Sequence, residues 1–293
     1  MPLPGRFLSS MMARIEGSMV LFDCGEGTQV SLRSLGWGFK NIDIICLTHF
    51  HGDHVSGLPG LFLTMAHSER KEPVKLFGPT GLTKIVKSLC VIAHDLPFEL
   101  EFHEIDKTGG LVYKQDMLQI STIPLAHRAP CVAYSLELLR RGKFDPQRAK
   151  ALNLPIRFWG LLQKQIKETF VYNEKTYTSD MVLGPQRQGL KIVFCTDTRP
   201  VPGLADFARG ADLFICEGMY GDDNKQDKAI AYKHMTFSEA ATIAQEAKVK
   251  EMWLTHFSPS MPDPKSYIEN ATKIFSNTKT GKDRMNTTLK FIE

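Results

Sequence analysis

Apolar positions along this chain fall into short runs of four to eight residues, each stopped by glycine, proline or a cluster of polar side chains, which is the pattern of buried strands. Residues 17–27 predict a strand ending in a glycine-rich turn, and a short helix follows over 28–35. A buried strand is predicted over 42–47, a helix over 61–67, a strand over 74–79 stopped by Gly78-Pro79, and a helix over 80–94. Strand-like runs then follow at 99–105, 110–113, 118–125 and 131–138. Beyond a less regular stretch, with short helices at 146–152 and 158–166 and strands and turns over 169–189, three more strands are predicted at 190–196, 211–216 and 248–255. Residues 221–233 read as a polar loop. Thr236 and Glu239 have capping-box spacing ahead of a helix, and a helix over 264–275 and a short terminal strand close the chain. Strands alternating with helices place the chain in the α/β class.

Composition narrows the class only a little. The 293 residues are 43% hydrophobic and 23% charged, ordinary values for a globular protein. No apolar run reaches the length of a membrane span, and residues 1–6 lack the apolar core of a signal peptide. Cys24, Cys46, Cys90, Cys131, Cys195 and Cys216 are scattered without a Cys-x-x-Cys pair, so free thiols and a cytoplasmic location are expected.

Charge changes the picture more. Arg140, Arg141, Lys143, Arg148, Lys150, Arg157, Lys164 and Lys167 face the single acid Asp145 within residues 140–167, a local balance of +7. The rest of the chain holds 28 basic and 31 acidic residues. A basic patch on a slightly acidic body points to a polyanionic partner, and these eight side chains are its candidate contacts. The stretch 140–189 is expected to be a projection without a core of its own, inserted between domain parts 1–139 and 190–293.

The candidate chemistry is concentrated at Thr48-His49-Phe50-His51-Gly52-Asp53-His54, directly past the strand at 42–47. Imidazole and carboxylate are the ligands that suit zinc or a similar divalent ion. His127, Asp197, Glu217 and His256 likewise lie just past strand ends, where α/β sheets gather reacting groups. This regularity predicts a two-metal centre: His49, His51 and His127 on one ion, Asp53, His54 and His256 on the other, and Asp197 bridging. Such a pair suits phosphodiester hydrolysis. Glu217 and His234 remain as a carboxylate–histidine pair able to protonate a leaving alkoxide. His67, His94 and His103 have no comparable setting and are taken as structural.

At these residues the sequence resembles the metallo-β-lactamase superfamily and, within it, the short-form ribonuclease Z family. The resemblance rests on Pro4-Gly5-Arg6, Phe22-Asp23-Cys24-Gly25-Glu26-Gly27-Thr28-Gln29, the 48–54 cluster with Gly57-Leu58-Pro59-Gly60, Pro124-Leu125-Ala126-His127, Asp197-Thr198-Arg199-Pro200 and Leu254-Thr255-His256-Phe257-Ser258-Pro259. It implies an αββα sandwich with a projecting basic arm, and a first strand ahead of Pro4 that is missing here. It also implies two zinc ions per subunit, a homodimer, and precursor tRNA as the substrate, cut to remove the 3′ trailer and leave a 3′-hydroxyl. Asp53 would then be both a zinc ligand and the proton acceptor for the attacking water. Two other readings stay open: a phosphodiesterase of the same superfamily acting on small esters or other RNA, and a non-catalytic RNA-binding protein on a retired nuclease scaffold.

Overall fold

The computed structural model describes residues 3, 5–163 and 169–292, so Pro4, Lys164 and Lys167 lie outside the described residues. The first sheet is built in chain order. β1 (Met11–Ile15) and β2 (Ser18–Phe22) form an antiparallel hairpin, and β3 (Ile42–Cys46), β4 (Val74–Pro79) and β5 (Leu100–Ile105) add in parallel. β1 has no counterpart in the apolar pattern; Arg14 interrupts it and only Ala13 is fully buried. Further along come β6 (Gly110–Gln115), β7 (Leu118–Pro124), β8 (Val132–Arg140), the hairpin strands β9 (Thr169–Tyr172) and β10 (Lys175–Thr178), and then β11 (Arg187–Cys195), β12 (Leu213–Glu217), β13 (Met252–Thr255) and β14 (Thr278–Thr280). The second sheet has the order β14-β13-β12-β11-β8-β7-β6, with β11 to β14 parallel.

Strand alternation explains the layering. In β2, Val20 and Phe22 face one way and Met19 and Leu21 the other. Phe22, Ile44, Cys46 and Phe77 of the first sheet meet Tyr134, Phe194, Ile215 and Trp253 of the second in a shared apolar layer. The opposite faces are covered by helices. Leu58–His67 packs Leu58, Leu61, Phe62 and Met65 against Leu21, Ile45 and Leu76. Phe237–Glu246 packs its alanine-rich face with Phe214, Met252 and Leu254. The fold is the αββα sandwich.

The chain divides into two compact units, one of residues 1–136 and 191–289, the other of residues 137–190 and 290–293. The second unit corrects the expectation that this stretch is too short for a core. Ala149, Leu154, Leu162, Tyr177 and Val182 are buried together, with Trp159 and Phe170 packed on them. Its helix Pro146–Ala151 starts at Asp145, whose side chain accepts from the Gln147 and Arg148 amides. Arg140 donates to the Ile292 carbonyl and lies over the Phe291 ring, so residues near the chain end belong to this unit, a feature with no signal in the apolar pattern.

Two smaller expectations also change. The polar loop at 221–233 contains a helix, Gln226–Tyr232, and the last helical segment is a short turn at Pro264–Tyr267 followed by Ile268–Thr272. The capping box of Thr236 and Glu239 is present as expected, and all six cysteines are free and buried.

Candidate metal centre

Parallel pairing brings the strand ends to one edge. Phe22 of β2 sits opposite Cys46 of β3, so Asp23 emerges beside the 47–49 segment. In the other sheet Cys195 pairs Cys216 and Glu217 pairs Thr255, which aligns the exits to Asp197, Glu217 and His256. Asp23, Asp197 and His256 all adopt left-handed backbone, with φ of 53°, 42° and 57°. Such a conformation costs a non-glycine residue about 1–3 kcal/mol and turns the chain sharply enough to aim each side chain at the common centre. The glycine-rich turn serves close approach. A Cβ on Gly25 would lie 2.4 Å from the Asp53 carbonyl oxygen, and one on Gly57 2.3 Å from that of Gly25. Cys24 and Gly57 then lock the turn to the histidine loop, through Cys24 N to His54 O at 2.7 Å and Gly57 N to Cys24 O at 2.8 Å.

Two donor groups form around Asp197. In one, His49 Nε2 is 3.0 Å from His51 Nδ1, and His127 Nε2 is 3.2 Å from the same atom. Asp197 Oδ2 lies 3.7 Å from both His49 Nε2 and His127 Nε2. In the other, His54 Nε2 and His256 Nε2 are 3.2 Å apart, with Asp53 Oδ2 3.6 and 3.3 Å from them. Asp197 Oδ1 lies 3.4 Å from His54 Nε2 and 3.2 Å from His256 Nε2. That oxygen is buried and makes no hydrogen bond. Ligands held about 2.0–2.1 Å from a tetrahedral ion sit about 3.3 Å from one another, and both groups match that spacing. The residues therefore fit metal ions.

Charge and hydrogen bonding favour the same use. His54 Nδ1 donates to Asp23 Oδ2 at 2.7 Å, which leaves Nε2 with its lone pair toward the centre. Thr48 donates its hydroxyl to Asp23 and stands 3.1 Å from His49 Nδ1, and His127 Nδ1 donates to the Lys233 carbonyl at 3.2 Å. Burial pushes His49 down to about 2, helped by the neighbouring His54, so its ring stays neutral. His127 is also lowered by burial. Burial opposes a charge on His256, but Asp197 and Asp53 outweigh it and raise its pKa to about 9. His54 is raised in the same way, against burial, by Asp197 and Asp23. Asp197 is held well below the usual carboxylate range, its burial outweighed by His256, His54 and His49. The acids thus demand positive charge at this spot.

Glu217 and His234 come together beside the second group. His234 Nδ1 is 3.2 Å from both Glu217 oxygens, and the Met235 and Thr198 amides donate to the same buried carboxylate. The His234 ring stacks on His256 at 5.7 Å and lies 5.4 Å from His127. Asp23, Thr48 and Arg199 are site-supporting residues that the sequence reading did not single out. Arg199 donates to the His234 carbonyl at 2.5 Å and makes a bidentate pair with Glu239. His67 and His94 are exposed and His103 stacks on Phe77; none joins the cluster.

In the second unit Arg141, Lys143, Arg148, Lys150 and Arg157 are exposed, and Arg140 is half-buried. Arg148 donates to the Leu183 carbonyl and Arg157 lies over Phe158, so both side chains are held in place.

Two family models match the chain: one described as anti-Pycsar protein Apyc1 over residues 5–131, and one described as a beta-lactamase superfamily domain over residues 143–257. A ribonuclease Z from Clostridium kluyveri is 52% identical over 293 residues, covering 100% of this chain and 96% of its own. Another from Lachnoclostridium phytofermentans is 50% identical over 291 residues, covering 99% and 95%. Among solved structures, human tRNase Z, short form, superposes with a TM-score of 0.69 at 26% identity over 97% of this chain and 93% of its own. A metallo-beta-lactamase fold protein from Bacillus subtilis, at TM-score 0.66 and 16% identity over 96% and 91%, shares the fold.

Proposed function

This chain belongs to the ribonuclease Z family, and from that membership we propose that it is a metal-dependent endoribonuclease that removes the 3′ trailer from precursor tRNA. The observation that carries the reading is the two-sided carboxylate of Asp197, with one oxygen toward His49 and His127 and the other toward His54 and His256. A carboxylate shared in this way supports two ions per subunit, and the imidazole-rich donor set supports zinc. His49, His51 and His127 would hold one ion and Asp53, His54 and His256 the other. Bound there, the ions supply an activated water and neutralise charge on the phosphoryl oxygens.

The side chains divide the remaining work. Asp53, partly exposed beside His256, takes the proton of the attacking water. Glu217 accepts the Nδ1 proton of His234 and stabilises positive charge on the ring, so His234 gives its Nε2 proton to the leaving 3′ oxygen. The exposed arginines and lysines of the second unit grip phosphates of the folded RNA, a contact that weakens with salt and is indifferent to base sequence. The working form is a homodimer in the cytoplasm, a reading supported by family membership alone. Among the described residues no helix is long and apolar enough to cross a membrane.

The test is cleavage of a 3′-extended precursor tRNA with the cut mapped to the nucleotide. A cut just after the discriminator base, lost with chelator and in Asp53→Ala, is expected. Intact RNA alongside hydrolysis of a small phosphodiester would overturn the tRNA reading.

A further inference from the structure

The helix Gln226–Tyr232 ends at the metal centre, and its last turn is built in a way that the reading above does not use. Lys233 closes it in left-handed backbone, φ 64°, which turns its carbonyl onto His127 Nδ1 and delivers His234 to Glu217. Tyr232, the last helical residue, is left 51% exposed. Arg128, directly after His127, donates to the Ala231 carbonyl at 2.9 Å and lays its guanidinium over the Tyr232 ring, 5.0 Å from the centroid. Both side chains are exposed, so the pair fills no part of the core. It is a planar, cationic, solvent-facing surface, fixed in orientation, one residue from His127 and two from His234.

We propose that Tyr232, with Arg128 seated on it, is a stacking platform for the nucleobase flanking the scissile phosphate. The inference rests on the RNA-cleavage reading and adds a positioning residue to it. Single-stranded RNA ends are recognised by stacking on aromatic rings and arginine planes, because every base offers a π-face. Tyr232 and His234 are at most two Cα steps of about 3.8 Å each apart along the backbone, so a base on this platform lies within a nucleotide's reach of the proton-donating ring. Arg128 keeps the ring in place before the substrate arrives and adds its charge beside the phosphate. A purine overlaps this surface more than a pyrimidine does, so the platform favours a purine at the flanking position.

The experiment compares wild type, Tyr232→Ala and Tyr232→Phe on precursor tRNAs with a purine or a pyrimidine next to the cut, and on bis(4-nitrophenyl) phosphate. Tyr232→Ala is expected to lose about ten- to a hundredfold in kcat/KM on RNA, mostly through KM, with the purine preference flattened. Tyr232→Phe keeps the ring and is expected to restore both. Unchanged RNA kinetics in Tyr232→Ala would overturn the inference. So would an equal loss on the small ester, which would make Tyr232 a support for the metal centre. Wild-type protein that hydrolyses the ester and leaves both RNAs intact defeats the RNA reading itself and this inference with it, an outcome told apart from the others by wild type alone.

Discussion

Asp23 Oδ2 accepts the Nδ1 proton of His54 at 2.7 Å, with neither side chain reaching solvent. The same carboxylate accepts from the Thr48 amide and hydroxyl, and Thr48 in turn stands beside His49. One acid therefore fixes the ring orientation of a histidine in each donor group. Removing such a partner costs about 10–100-fold in metal affinity or activity. Asp23→Asn is expected to show that loss, with fold retained, by chelator competition and by RNA cleavage. Unaltered metal retention would contradict the assignment.

Glu217 and His234 are expected to act as one unit. Either Glu217→Gln or His234→Ala should lower kcat on precursor tRNA about 10²–10⁴-fold, the range of a lost proton donor. Because the glutamate works through the histidine, the double variant should be no slower than His234→Ala. Additive losses in single-turnover cleavage would show two independent roles.

The Arg199–Glu239 pair sets a pH dependence of stability. Burial pushes the Glu239 carboxyl up, but Arg199 outweighs it and holds the group below its ordinary value. A carboxyl lowered in the folded state contributes stability that is present above the unfolded value of about 4.3 and is lost as pH falls through the folded value. Glu239→Gln should be less stable than wild type by about 1–3 kcal/mol at pH 7, and the gap should narrow as pH falls below the unfolded value of about 4.3. Urea titrations at the two pH values check this; a gap that persists in acid would assign the loss to packing.

Gly57→Ala tests the close approach of the glycine turn. Its methyl would stand 2.3 Å from the Gly25 carbonyl oxygen and 2.9 Å from that of Cys24, both rigid backbone. Overpacking of this kind costs about 1–3 kcal/mol. The variant should melt lower than wild type and bind metal less tightly, since the clash displaces the turn that carries Asp23.

Much of this site was legible because its donors obey one rule: each follows a run of apolar strand residues, as Asp197 follows Val193-Phe194-Cys195. Asp23 obeys the same rule, yet it opens a glycine-rich turn, where an acid is also the ordinary turn residue, so nothing marked it as a partner of His54 some thirty positions away. The helix Gln226–Tyr232 escaped notice because its side chains alternate without an apolar stripe; Ile230 and Tyr232 both face outward. The small core of the second unit gathers Ala149, Leu154, Leu162, Tyr177 and Val182, with aromatics from Phe144 to Tyr172 packed against it, and these positions follow no helical or strand period. Burial there follows from tertiary assembly, which local pattern does not encode.

His54 and His256 stand 202 positions apart in the chain, yet their ring nitrogens lie 3.2 Å from each other. The first sheet supplies the 49–54 donors and the second supplies His127, Asp197 and His256, so neither portion of the polypeptide owns a complete donor set. An isolated fragment of either sheet would lack part of both donor groups. Hydrolysis begins only when both sheets have met, which makes turnover itself a gauge of completed assembly and makes a bound ion a rivet between the two.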